Sequence, residues 1–270
     1  MQSAASDLPL LEAAAREAGA LVRDLLTKPL DIRSKGEAGP VTNVDLAVEA
    51  LLAERLRAAR PDYGWLSEET PDDADARLNA ERVFMLDPID GTAAMIKRKP
   101  QYTICIGVAD GAEAVAGAVY NPATDEMFLG AAGVGATMNG RAMQVSERNM
   151  LEGARMVGSS TRFTDWRWPK PWPTMEIERR ESIAYRMAAV AAGQADATIL
   201  FNWKHYWDIA AGAAIVAAAG GVVTDTWGAP LAFNLREPRA PGVVASGASL
   251  HALLIERTSH FPDPRTKAEA

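Results

Sequence analysis

A single cysteine, Cys105, and three histidines, His205, His251 and His260, are the only thiol and imidazole groups in this 270-residue chain. One thiol cannot close an intrachain disulfide or build a cysteine-rich metal site, which fits a reducing cytoplasm. Cys105 sits in an apolar, strand-like run and reads as a buried structural thiol. The histidines lack metal-ligand spacing, so no zinc site is implied, and His205 reads as a surface or packing residue near Asp208. Excess positive charge is also missing: 28 Lys and Arg face 35 Asp and Glu, a net charge of −7. With no broad basic face, the chain is not expected to bind nucleic-acid polymers or anionic membranes, and an anionic substrate would need local cations or metal ions. Long hydrophobic runs are absent as well. The longest uncharged stretch, Ile209 to Thr224, is rich in Ala and Gly and falls short of the roughly 20 apolar residues a bilayer span requires. The first twenty residues carry Asp7, Glu12 and Glu17 without a basic start, so they are not read as a secretory signal. Neither a Gly-x-x-x-x-Gly-Lys phosphate loop nor a Gly-x-Ser-x-Gly nucleophile elbow occurs.

A hydrophobic content of 48% is ample for a real core. Apolar residues recur every three or four positions over Leu8 to Leu26 and Val44 to Ala59, which predicts two opening helices with Asp7 and Asn43 as N-caps. Pro71 to Asp75 reads as an acidic surface loop. Tyr102 to Val108, Ala114 to Tyr120 and Glu126 to Leu129 read as an antiparallel meander, followed by turn glycines at Gly133, Gly135 and Gly140. Beyond about residue 150 helices and short strands alternate: Ser182 to Ala192, Ala195 to Leu200, Asp208 to Ala219, Val222 to Thr224. An α/β organisation in two lobes is therefore expected, residues 1–150 and 151–270. The Trp/Pro/basic stretch 164–172 between them reads as a surface loop packed by its own aromatics, in preference to a substrate lid.

The chemistry is concentrated in Asp87-Pro88-Ile89-Asp90-Gly91-Thr92. Val83 to Leu86 reads as a buried strand ending at Asp87, and Ala93 to Arg98 as a short helix whose first amides are free to take an anion at Gly91 and Thr92. Two acids three apart suit a hard cation bound through oxygen, and Gly91 lets backbone approach a ligand. Taken alone, such acids are most often a solvated turn, and Asp208, at the start of a helix beside Trp207, reads locally as an N-cap. Glu68 and Glu69 alone read as exposed charge.

What changes the balance is the order in which Pro40-Val41-Thr42-Asn43-Val44-Asp45, Leu66-Ser67-Glu68-Glu69, the Asp87–Thr92 motif and Trp207-Asp208-Ile209-Ala210-Ala211-Gly212 occur together. In that order the chain resembles the inositol monophosphatase superfamily, from the first helix to about Pro241. The resemblance implies an αβαβα sandwich of the inositol monophosphatase and fructose-1,6-bisphosphatase type. It implies Mg²⁺, two or three ions per site, bound by Glu68, Asp87, the carbonyl of Ile89, Asp90 and Asp208. Asp45 and Thr92 match the pair that activates the attacking water, with Glu68 beside them. The amides of Gly91 and Thr92 match the phosphate cradle, with Asp90 and Lys204 on the substrate side. A cytoplasmic homodimer acting on a small phosphate ester is implied too. An all-oxygen donor set agrees with Mg²⁺, and paired ions clamp nucleophile and leaving group in phosphate ester hydrolysis. A haloacid-dehalogenase mechanism needs its acids separated by one residue, whereas Pro88 and Ile89 intervene here, so direct water attack is preferred.

The substrate is less determined. Inositol monophosphatases commonly carry Asn-Phe where this chain has Ala94-Met95. The run Ile96-Lys97-Arg98 with Gln101-Tyr102-Thr103-Ile104 is more similar to bacterial 3′(2′),5′-bisphosphate nucleotidases, although these usually have Lys-Glu-Phe at Ala93-Ala94-Met95. Lys97 and Arg98 suit either a second phosphate or a helix C-terminus, and Lys204 offers a further phosphate partner. Trp203 or Tyr206 suits stacking on adenine or simple packing. A bisphosphate nucleotide is favoured slightly over inositol phosphate. The alternatives are a histidinol-phosphate or sugar-phosphate phosphatase of the same fold, or a regulatory binding protein that retains it.

Overall fold

The computed structural model describes residues 3–36, 39–164, 168–263 and 265. Helix α1 (Leu8–Leu25) is followed by a hairpin, β1 (Ile32–Ser34) and β2 (Pro40–Thr42), then α2 (Asn43–Ala59), β3 (Gly64–Ser67), α3 (Ala74–Asn79), β4 (Arg82–Asp90) and the short α4 (Thr92–Ile96). An antiparallel run follows: β5 (Thr103–Asp110), β6 (Glu113–Asn121), β7 (Glu126–Ala131), β8 (Gly135–Met138) and β9 (Arg141–Met143). The remainder comprises β10 (Arg155–Val157), β11 (Glu176–Glu178), α5 (Ile183–Ala191), β12 (Ala197–Leu200), β13 (Lys204–His205), α6 (Tyr206–Ala218), β14 (Val222–Thr224), β15 (Arg239–Ala240), β16 (Val243–Ser246) and α7 (Ala248–Thr258).

Strands β3 to β9 form a seven-stranded sheet in chain order, with only β3–β4 parallel. A five-stranded mixed sheet runs β11-β10-β12-β16-β14. Strand alternation divides the core into layers. Phe84 and Leu86 of β4 pack with α1 and α2, while Val83 and Met85 face the opposite side, towards α5 and α6. In β16, Val243 and Ala245 join that same central core, whereas Val244 turns outward to Leu250 and Leu254 of α7. The stack is therefore helix, sheet, helix, sheet, helix, the expected αβαβα sandwich.

Helix α6 lies unusually close to the seven-stranded sheet because glycines line the contact. A Cβ on Gly107 would come within 2.8 Å of Ala211 N, one on Gly130 within 2.8 Å of Ile215 Cα, and one on Gly117 would strike the Ala211 carbonyl. These neighbours are mostly backbone and cannot rotate away. Gly117→Ala is expected to cost about 1–3 kcal/mol, read as a drop of several degrees in melting temperature by calorimetry. An unchanged melting temperature would show that the layers can separate freely, contrary to this packing.

Several local expectations are corrected. Asp7 precedes α1 but does not cap it with its side chain. Pro9 removes an amide that a cap would accept, and the buried carboxylate instead takes Arg60 Nε at 3.0 Å, Tyr63 Oη at 3.1 Å and Arg82 Nη1 at 3.2 Å. The cap of α2 is Thr42, not Asn43: Val44 N donates to Thr42 Oγ1 at 3.1 Å, while Asn43 Oδ1 accepts from Asp31 N at 2.9 Å. Residues 74 and 75 of the acidic loop begin α3, started by Asp73, whose side chain accepts from Ala76 N. In the Trp/Pro stretch, residues 165–167 lie outside the described residues. Trp168 and Trp172 meet edge to face with centroids 5.0 Å apart, as self-packing predicts, but Trp168 is buried and also meets Phe201 and Phe261, so the stretch is anchored in the core beneath α7 and is not packed by its own aromatics alone. Cys105 is fully buried, and burial, with Asp90 and Asp87 nearby, pushes its thiol well above the usual range. Among the described residues no helix is long and apolar enough to cross a membrane.

Candidate active site

Strand β4 does not stop at Asp87; it continues through Asp90 with a bulge. Asp87 pairs with Cys105 and Asp90 with Thr103, so three steps along β4 match two along β5. The geometric consequence is decisive. Residues three apart on a regular strand point to opposite faces, but the extra residue restores parity and turns both carboxylates towards α5 and α6. Pro88, which has no N–H to donate, lies inside this bulge. Gly91, at φ +98°, then starts α4, and a Cβ there would come within 2.8 Å of the Gln101 carbonyl.

Four other elements deliver the remaining groups. Parallel pairing of β3 with β4 sets Ser67 opposite Leu86, and Glu68 N donates to Leu86 O at 3.2 Å, so Glu68 emerges beside Asp87. Asp45, in the first turn of α2, accepts from Thr42 N at 2.8 Å and Thr42 Oγ1 at 2.6 Å through Oδ2. Its Oδ1 accepts from Thr92 Oγ1 at 2.8 Å; that hydroxyl also lies 3.0 Å from the Ile89 carbonyl. Asp208 stands in the first turn of α6, whose N-cap is His205 rather than Asp208 itself, and accepts from His205 N at 3.2 Å. Glu49, on α2, accepts from Trp65 Nε1, Ser67 Oγ and Thr70 Oγ1, which fastens the chain on either side of Glu68.

The electrostatics show how closely these acids crowd. Burial and then Glu68, Asp90, Asp208 and Asp45 push Asp87 well above the carboxylate range. Asp90 is raised to about 6, chiefly by burial against the relief given by the Ala184 amide, Ser182 and Arg186. Asp208 is raised to about 8 by burial, then by Asp90 and Glu68. Burial likewise raises Asp45 despite its threonine partners. Such a concentration of carboxylates stays fully ionised only with cations at hand.

One cation is built in, and the sequence reading missed it. Lys35, just after β1, bridges Glu68 Oε1 at 2.6 Å and Glu69 Oε1 at 2.8 Å. Among the described residues no three acid, histidine or cysteine side chains converge on one point as a closed cage, and Lys35 draws Glu68 aside. The donor chemistry nonetheless fits a hard divalent cation. All groups are oxygens, and local donors pin one oxygen each of Asp87 (Ile89 N, 2.9 Å), Asp90 (Ser182 Oγ, 2.8 Å) and Asp208 (His205 N, 3.2 Å), leaving the other oxygen of each without such a partner.

A cleft of about 220 Å³ lies at the start of α5, next to Ser182 and Ala184 that hold Asp90, and is lined by Ser159, Glu181, Ile183, Arg186, Ile199, Leu200, Phe201, Asn202 and Lys204. Arg186 acts electrostatically on Asp90, and Lys204 on Asp208. Lys204 was expected on this side; Arg186 was not, although its place one turn into α5 was the available signal. Tyr206 is buried against Phe233 and is core, whereas Trp203 is 37% exposed beneath the Arg239 guanidinium. His205 stacks on Trp207 with centroids 4.2 Å apart. Lys97 ends α4, and Lys97 and Arg98 are exposed.

Acids from four elements, a threonine–aspartate pair and a cleft holding Arg186 and Lys204, set where the sheets and central helices meet, define a metal-assisted phosphoester hydrolase. Comparison with known proteins agrees. Residues 5–261 match the inositol monophosphatase family. The chain is 33% identical over 233 residues to the 3′(2′),5′-bisphosphate nucleotidase CysQ of Escherichia coli K12, covering 83% of this chain and 92% of that protein. It is 31% identical over 251 residues to inositol monophosphatase 2 of Solanum lycopersicum, covering 89% and 95%. The crystal structure of the extragenic suppressor protein suhB from Bartonella henselae superposes with a TM-score of 0.82 at 28% identity, covering 95% of this chain and 100% of that one. The chain belongs to the inositol monophosphatase family, and its activity class is that of a metal-dependent phosphatase.

Proposed function

We propose that this chain is a Mg²⁺-dependent phosphomonoesterase whose substrate is a small metabolite with a second anionic group, a 3′-phosphoadenosine 5′-phosphate type of nucleotide in preference to inositol monophosphate. The observation that carries the choice is the cleft at the start of α5, where the two cations Arg186 and Lys204 outnumber the one acid, Glu181, and stand with Ser159 and Asn202. A polyol needs hydroxyl partners there; a second phosphate needs cations. The CysQ relative, a 3′(2′),5′-bisphosphate nucleotidase, points the same way.

On this reading Glu68, Asp87, the Ile89 carbonyl, Asp90 and Asp208 would hold two or three Mg²⁺, and the donor set described above is what supports it. Bound ions would neutralise the phosphate and lower the barrier to direct attack by water. The chain's own groups do the rest. Thr92 Oγ1, held against Asp45 Oδ1 at 2.8 Å, orients the attacking water, and Asp45 takes up the proton passed through that hydroxyl. The amides at Gly91 and Thr92, at a helix start with no preceding carbonyl to bond, cradle the phosphate. Residues 1–150 supply every group but Asp208 and the cleft, which come from 151–270. A cytoplasmic homodimer is the setting proposed for it.

Phosphate release from 3′-phosphoadenosine 5′-phosphate and from inositol 1-phosphate tests this, with Mg²⁺ and then with EDTA. The bisphosphate is expected to be preferred by about tenfold or more in kcat/KM, and Lys204→Met to raise KM for it alone. Preference for inositol 1-phosphate would overturn the substrate, and full activity in EDTA the mechanism.

A further inference from the structure

Asp87 and Asp208 are each steadied by an amide within three residues, Ile89 N and His205 N. Asp90 is held from far along the chain. Its Oδ2 accepts Ser182 Oγ–H at 2.8 Å and Ala184 N–H at 2.7 Å, both from the start of α5. A carboxylate oxygen has two lone-pair directions, so Oδ2 is saturated by these donors. We propose that Ser182, backed by Thr103, is a positioning residue that pins Asp90 Oδ2 and offers Oδ1 alone to a metal ion.

The hydrogen-bond directions follow from counting protons. The Ser182 hydroxyl has one, and it goes to the carboxylate, which only accepts. The lone pairs of Ser182 Oγ then take Tyr185 N–H at 3.0 Å and the Thr103 hydroxyl at 2.9 Å. Thr103 is the β5 residue that pairs with Asp90 across the bulge, so the same strand contact that sets the carboxylate's face also orders the hydroxyl behind it. All three side chains are buried, with Ser182 and Thr103 fully inaccessible, and water does not compete for these bonds. A carboxylate fixed in this way ligates through one oxygen. That suits a small octahedral ion, whereas a larger ion such as Ca²⁺ accepts bidentate carboxylates and tolerates irregular geometry.

The inference rests on Asp90 being an ion ligand, so the test measures ion binding directly. Mg²⁺ and Ca²⁺ are titrated calorimetrically, without substrate, into the wild type, Ser182→Ala, Ser182→Gly and Thr103→Val. Glycine starts a helix almost as well as serine, so Ser182→Gly separates loss of positioning from loss of the helix cap. Both Ser182 variants are expected to weaken Mg²⁺ about tenfold or more, as loss of groups that orient metal ligands does, and to change Ca²⁺ far less. Thr103→Val is expected to weaken Mg²⁺ by a smaller factor in the same sense. Unchanged Mg²⁺ affinity in Ser182→Gly, or equal weakening of both ions, would overturn the positioning role. Failure of the wild type to bind Mg²⁺ is a distinct result that would overturn the ion site itself and the inference with it.

Discussion

Asp90→Asn is expected to cut phosphate release by at least about 10³-fold and, in EDTA, to raise the melting temperature. The loss of turnover follows from removing a charge on which ion binding depends, where a few kcal/mol of transition-state stabilisation are at stake. The gain in stability follows from local geometry. An asparagine placed with its amide oxygen where Oδ2 stands still accepts Ser182 Oγ–H and Ala184 N–H, so nothing at the start of α5 is broken. Its NH₂ group then replaces Oδ1, which removes the negative charge that Glu68 and Asp208 oppose. Relief on the order of 1–3 kcal/mol is expected, since a charge on Asp90 is opposed by its burial and by Glu68. Phosphate release and calorimetry check the two halves separately. Turnover near the wild-type rate would remove Asp90 from the site. A lower melting temperature in EDTA would show that the acids do not strain the fold.

Most element positions were legible because their signals are local, whereas the αβαβα layering was expected only from the family resemblance. The three- and four-residue periodicity of α1 and α2, the turn-punctuated meander β5 to β7, and the β14 strand all stand where their patterns place them. Long-range partners were not legible. Asp7 looked like a cap until the structure brought Arg60 and Arg82 to it, residues 53 and 75 positions away. The bulge in β4 was invisible because it is a property of pairing with β5, yet it makes the Asp87–Asp90 spacing workable. Lys35 and Arg186 were overlooked for a related reason: isolated basic residues on unremarkable segments gain meaning only from the acids opposite them. Glu68 and Asp208 had the reverse fate. Local sequence made them bland, and only their order with Asp45 and the central motif marked them.

The pH dependence of stability reports on Asp208. Its pKa is raised from 3.8 to about 8 by burial, Asp90 and Glu68, so between those values the folded chain keeps a proton that the unfolded chain has released. The unfolded state then binds fewer protons, and stability falls as pH rises; below about pH 4 the cost is absent, and above about pH 8 it is complete. Asp90, raised to about 6, contributes its share earlier in the same direction. Two groups oppose this at lower pH. His251, lowered from 6.5 by burial between Thr224 and Ser246, and His205, lowered by burial against the pull of Glu68, destabilise the fold when acid forces a proton on them. Their effect fades above pH 6.5, which leaves Asp208, with Asp87 pushed up beside it, as the titrating acids from there to pH 8. Over that interval in EDTA the wild type is expected to lose about 2 kcal/mol, and Asp208→Asn distinctly less. With saturating Mg²⁺ the slope should reverse, because protons and cations compete for the same oxygens and the cation wins as pH rises. Urea melts at pH 6.5, 7.25 and 8, with and without Mg²⁺, supply the comparison. Parallel slopes for the wild type and Asp208→Asn in EDTA would mean that Asp208 is already charged at neutral pH, and that its neighbours lie too far off to resist it.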